Sequence, residues 1–159
     1  MEETQMLDTD QTLCADQALD ADQTLDADRI ADANEETPAY SPKELGRRGE
    51  EAAAKFLERR GFAIMQRNWS CFAGEVDIIA LQDDTLCFVE VKTRSNVQKG
   101  FPSEAVDERK RDRYERIAAC YLKEHAYEDL RVRFDVIGIL VLGRDRAFLR
   151  HHVNAFGSM

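Results

Sequence analysis

Residues 74–94 read GEVDIIALQDDTLCFVEVKTR, and the fold turns on how this stretch pairs with itself. Two runs of β-branched, aromatic and aliphatic residues, 76–81 and 86–91, flank the polar break Gln82-Asp83-Asp84-Thr85. That pattern predicts a β-hairpin. With the turn centred on Asp83 and Asp84, Gln82 faces Thr85, Asp77 falls opposite Glu90, and Glu75 falls opposite Lys92. Strand alternation then puts Glu75, Asp77, Glu90 and Lys92 on one face. Val76, Ile78, Val89 and Val91 take the other, which is expected to be the core side.

Directly opposed strand residues have Cβ atoms about 4.5–5.5 Å apart, and like charges there repel. A solvated outer face is the ordinary explanation of alternating charge on a hairpin. Here the second strand is apolar apart from Glu90 and Lys92, so it reads as an interior strand. Charge on such a strand is costly unless it is paired or bound to metal. A hard cation accounts for facing carboxylates, because Mg²⁺ is held by one or two of them plus waters and phosphate oxygens. Lys92, beside the pair, suits a phosphate contact or an oriented water.

Upstream, Ser41-Pro42-Lys43-Glu44 forms a capping box, with proline at the first helical position. The helix is expected to run to about Arg60 and stop at Gly61. Leu45, Ala52, Ala53, Phe56 and Leu57 make its apolar stripe. Gly46 and Gly49 suggest close packing against a sheet or a ligand, since glycine inside a helix is otherwise unfavourable. Glu50 lies near the stripe; taken alone it reads as a surface glutamate. Residues 62–69 follow as a first strand.

Downstream, Ser103 is a candidate cap for a second helix over about 104–125. Val106, Tyr114, Ile117, Ala118 and Tyr121 form its apolar face, with Arg109, Arg113 and Arg116 beside it. Lys110 falls inside the apolar arc, so it either snorkels to solvent or points at an anion. The arginine row is either a solvated face or a track for a phosphate backbone. Residues 130–142 read as a strand interrupted by Arg133 and Asp135, residues 143–146 as a turn, and residues 147–153 as the last strand. His151 and His152 are adjacent, face opposite ways on a strand, and make a poor shared metal site.

The chain of 159 residues suits one domain with a sizeable core. No long apolar run is present, which argues against a transmembrane helix, a secretory signal and a membrane partner. Cys14, Cys71, Cys87 and Cys120 lack zinc-ligand spacing and read as reduced thiols of a cytosolic, cytoplasmic protein. The net charge of −9 is unevenly spread. Residues 1–40 carry twelve acidic residues and one basic residue, and residues 41–159 carry 19 acidic and 21 basic residues. A mildly basic domain thus follows an acidic leader, an asymmetry that fits a nucleic-acid partner.

Within the leader, Asp10, Asp16, Asp22 and Asp28 recur at a period of six, as do Ala15, Ala21, Ala27 and Ala33. Six matches neither the helical nor the strand period. Residues 1–40 are therefore expected to be a disordered leader, and 41–159 the folded domain. The leader's ordinary role is solubilising; the sharper reading is a polyanion that competes with DNA.

Taken in order, GRRGEEAAAKFLERRGF, RNW, GEVDIIA, FVEVKTR, RFDVI and VNAF resemble the YraN family of bacterial proteins over about residues 41–156. That family is similar to the Holliday-junction resolvases and to the wider PD-(D/E)-x-K nuclease superfamily. The resemblance implies an α/β fold with a restriction-endonuclease-like core: a mixed β-sheet flanked by α-helices, with the hairpin carrying the site. Asp77 matches the motif aspartate, Glu90-Val91-Lys92 the (D/E)-x-K element, and Glu50 the first-helix glutamate of the resolvase branch. Val76 stands where the motif has proline.

The implied activity is hydrolysis of phosphodiester bonds in nucleic acid, with DNA, branched or structured, as the substrate. Asp77, Glu90, the Val91 carbonyl and Glu50 would hold Mg²⁺ or Mn²⁺, and Lys92 would act beside them. Lys110, Arg109, Arg113 and Arg94 would contact nucleic acid, and the resolvase likeness implies a homodimer. The rivals are a catalytically inactive nucleic-acid-binding protein on the same scaffold and an interaction module recruited through the leader.

Overall fold

The computed structural model describes residues 2–7, 40–95, 108–127, 129–142 and 146–156. The elements in order are β1 (Glu2–Leu7), α1 (Pro42–Arg59), β2 (Ala63–Cys71), β3 (Gly74–Gln82), β4 (Thr85–Arg94), α2 (Glu108–His125), β5 (Arg131–Val141) and β6 (Ala147–His152). The strands form one sheet in the order β1-β6-β5-β4-β3-β2. β4 and β5 are parallel, whereas the other neighbouring pairs are antiparallel. Parallel neighbours need a crossover, and α2 lies in the connection that provides it. The result is the expected α/β architecture, a mixed sheet with two helices, consistent with a restriction-endonuclease-like core.

Local chemistry sets the boundaries. Ser41 Oγ accepts a hydrogen bond from Glu44 N at 3.2 Å, as an N-cap should. The Glu44 carboxylate turns forward to Arg47 and Arg48, so the reciprocal half of the capping box is spent on ion pairs. Gly61 ends the helix at φ +83°, where a side chain would be strained. The hairpin register follows the sequence: Gln82 pairs with Thr85, Leu81 with Leu86 and Ile78 with Val89. Asp83 takes φ +52° in the turn, a conformation aspartate tolerates.

The sheet is covered on both faces. On one, Ala53, Phe56 and Leu57 of α1 pack on Ile78, Ala80, Val89 and Ile137. On the other, Tyr114, Ile117 and Tyr121 of α2 pack on Val76, Ile79, Phe88 and Phe134. This double burial explains the continuous apolar run Leu86–Cys87–Phe88–Val89, as expected for a central strand next to a parallel neighbour.

Three expectations need correction. The hairpin has no single core side, because helices bury both. Val76 does not share a layer with Ile78: it joins the α2 layer, whereas Ile78 joins the α1 layer. Alternation breaks at Asp77, which belongs to neither ladder; on β2 it is skipped together with Asn68, which adopts φ +50°. The leader is not wholly without structure, since residues 2–7 pair antiparallel with β6 at the sheet edge. The rest of the leader, the start proposed for the second helix with its Ser103 cap, and positions 143–145 of the turn lie outside the described residues.

Candidate active site

The ladder between β3 and β4 runs from the turn only as far as Ile78 and Val89. Beyond it, a side chain replaces a backbone partner: Asp77 Oδ2 accepts a hydrogen bond from Val91 N at 2.7 Å. Asp77 is thereby fixed where the two strands separate. Burial pushes its pKa up to about 6, against the pull of the Val91 N–H, and the charges of Glu50, Glu90 and Glu75 raise it further. Asp77 thus feels the charge of three other carboxylates, although no three acidic side chains among the described residues gather closely enough to cage an ion.

Glu90, on β4, faces α2. Lys110 Nζ lies 2.6 Å from Glu90 Oε2, and both side chains are 18% exposed. The contact is an ion pair by distance without the angles of a hydrogen bond; Glu90 Oε2 is buried with no hydrogen-bond partner. One turn along α2, the buried Tyr114 phenol lies close enough to Glu90 to feel its charge. Burial first, and then the Glu90 and Asp77 charges, hold the phenol far above its usual pKa, so it stays protonated.

The structure thus brings Asp77, Glu90 and Val91 together, with Glu50 of α1 in electrostatic reach. Lys92 lies half-buried two residues beyond Glu90, next to Gly138 in the parallel register with β5. Arg109 and Arg113 are exposed on α2, and Arg94 is half-buried at the end of β4. Lys110 resolves its two readings: it points at an anion, and that anion is Glu90. Tyr114 escaped sequence reasoning because an aromatic on an apolar stripe reads as core. The usable signal was its i,i+4 spacing from the anomalous Lys110.

The donor set suits a magnesium-like ion of the kind the resemblance implies. Among the described residues no group of three histidine, cysteine or acidic side chains forms a ready-made metal cage. Mg²⁺ rarely uses one, and takes one or two carboxylates with water and phosphate completing the shell. An orphaned, buried Glu90 oxygen with an ammonium already against it fits that pattern.

A second polar cluster is structural. Asp135, with no exposed surface, accepts from Arg133 Nε, from the backbone N–H of Asn154 at 2.8 Å, and pairs with His151 Nε2 at 3.0 Å. Arg133 also donates to Gln82 Oε1, tying β3 to β5. His151 sits edge-on to Phe56 and Phe62, while His152 is only half-buried.

A six-stranded mixed sheet with helices on both faces defines an α/β protein consistent with a restriction-endonuclease-like core. The family model described as "Uncharacterised protein family UPF0102" matches residues 49–139. A UPF0102 protein of Chlorobium phaeobacteroides strain BS1 is 46% identical over 123 residues, 74% of this chain and 98% of that protein. A UPF0102 protein of Prosthecochloris aestuarii is 44% identical over 109 residues, 69% of this chain and 86% of its own. One of Myxococcus xanthus is 43% identical over 114 residues, 72% and 90% of the two chains. The chain belongs to the UPF0102 family, the YraN family of the sequence reading. No helix among the described residues is long and apolar enough to cross a membrane.

Proposed function

We propose that this protein is a Mg²⁺- or Mn²⁺-dependent nuclease that hydrolyses phosphodiester bonds in DNA. The observation that carries the reading is the opened hairpin, where Asp77 leaves the ladder to bind Val91 N–H beside the half-buried Glu90. Asp77 and Glu90 would hold the cation, with the Val91 carbonyl and Glu50 as further oxygen donors. Bound there, a divalent ion supplies Lewis acidity and lowers the pKa of a water.

The chain's own residues do the rest. The Val91 N–H fixes the Asp77 carboxylate, and the Lys110 ammonium lies against Glu90. Lys92 orients the attacking water or stabilises negative charge developing on the phosphate. Arg109, Arg113 and Arg94 take backbone phosphates, and their contribution is salt-dependent. Branched or otherwise structured DNA, and action as a homodimer, follow from the likeness to resolvases.

A catalytically inactive nucleic-acid-binding protein is the second reading. It is favoured by Lys110, which already compensates Glu90. The test is a Mg²⁺ and Mn²⁺ titration over junction, flap, single-stranded and linear duplex DNA. The nuclease reading expects metal-dependent product that disappears in Lys92→Ala while DNA binding persists. Salt-sensitive binding without product at any metal concentration supports the second reading.

A further inference from the structure

We propose that Lys110 is the resident counter-ion of Glu90, holding in the metal-free protein the place that a divalent cation takes on binding. The inference rests on the proposed metal site and assigns it a built-in competitor. Its ground is the geometry: an ammonium 2.6 Å from a carboxylate oxygen that is buried and otherwise without a hydrogen-bond partner. Both side chains are mostly buried, so the pair is weakly screened by solvent.

α2 presents two groups to the same carboxylate, one turn apart. Tyr114 contributes a neutral phenol, which a bound cation does not repel. Lys110 contributes a positive charge, which a bound cation makes redundant and repels. Metal entry therefore expels the ammonium and leaves the phenol in place. The freed ammonium joins the cations of α2 formed by its sequence neighbours Arg109 and Arg113. Metal loading and readiness for a phosphate are then one event.

A ligand whose competent state is only partly populated binds with affinity reduced by that fraction. Removing the competitor should therefore tighten metal binding, even though it deletes a residue of the site. The experiment measures Mn²⁺ alone, binding to the full chain, by electron paramagnetic resonance at fixed pH and ionic strength. Lys110→Met should bind Mn²⁺ at least about fivefold more tightly than the unsubstituted protein, a coupling of ordinary size. Its metal-free melting temperature should fall, and its Mn²⁺-induced rise should be larger. Lys110→Arg, which keeps the charge, should bind as the unsubstituted protein does.

A second readout does not depend on a variant folding. Acetic anhydride labelling followed by mass spectrometry should modify Lys110 several-fold faster when Mn²⁺ is present. Unchanged labelling together with Mn²⁺ affinity in Lys110→Met that is equal or weaker overturns the proposal while leaving the metal site standing. Absence of Mn²⁺ binding in every form overturns both.

Discussion

Asp77 binds a proton more readily in the folded chain than in the unfolded one, because its pKa rises from 3.8 to about 6. Between those values the folded state holds the extra proton, so this group makes stability fall as pH rises through the window. Above it, the ionised carboxylate remains a burden on the metal-free fold. Asp77→Asn keeps an acceptor for Val91 N–H and removes the charge. It should raise metal-free stability at neutral pH by about 1–3 kcal/mol, measured by urea unfolding. Mn²⁺ affinity in the unsubstituted chain should weaken as pH falls below about 6, since proton and metal compete for one carboxylate.

Asp135 has the opposite sign. Burial alone would raise its pKa, but hydrogen bonds from His151 and Arg133 outweigh it and hold the carboxyl below its usual range. Its contribution is therefore complete above the unfolded value of 3.8 and is lost as pH falls below it. Asp135→Asn leaves Arg133 and His151 without their anion and should cost about 3–5 kcal/mol by urea unfolding. Neither role was legible beforehand. Arg133 and Asp135 showed only as interruptions of a strand, and their partner His151 lies on another strand, where no local pattern points to it.

At the level of elements, the packing of α1 on β4 is written in one glycine and not in the other. A Cβ at Gly49 would lie 1.8 Å from Thr93 Oγ1, whereas one at Gly46 would meet nothing within 4 Å. Gly49→Ala should force the helix off the strand that carries Glu90 and Lys92, costing about 1–3 kcal/mol in urea unfolding. Gly46→Ala should stabilise by about 0.5–1 kcal/mol, since it only improves a helix interior. The sequence treats the two glycines alike, because helix periodicity does not say which turn meets the sheet. The hairpin register was legible, because a two-residue turn and a period of two leave few choices. The departure at Asp77 was not: it depends on Asn68, on a different strand, taking a left-handed conformation.

Among the residues whose burial is described, the two core layers draw on residues 53–156 and their neighbours on α1. The curated relatives match 69–74% of this chain while being covered over 86–98% of their own length. The family model matches residues 49–139, within the basic part, and β1 pairs with β6 at the edge of the sheet. A chain lacking residues 1–39 should keep a single cooperative unfolding transition by circular dichroism; loss of that transition would make β1 integral to the core. The strand at residues 2–7 escaped the sequence reading because EETQML lacks the apolar alternation that marks a buried strand.

The claim beneath all of this is that the opened hairpin holds a divalent cation between Asp77 and Glu90. Anomalous diffraction from crystals soaked in Mn²⁺ tests it most directly. The account predicts a peak about 2.1 Å from carboxylate oxygens of both residues, absent in Asp77→Ala. A peak elsewhere in the protein, or none at millimolar Mn²⁺, would contradict it.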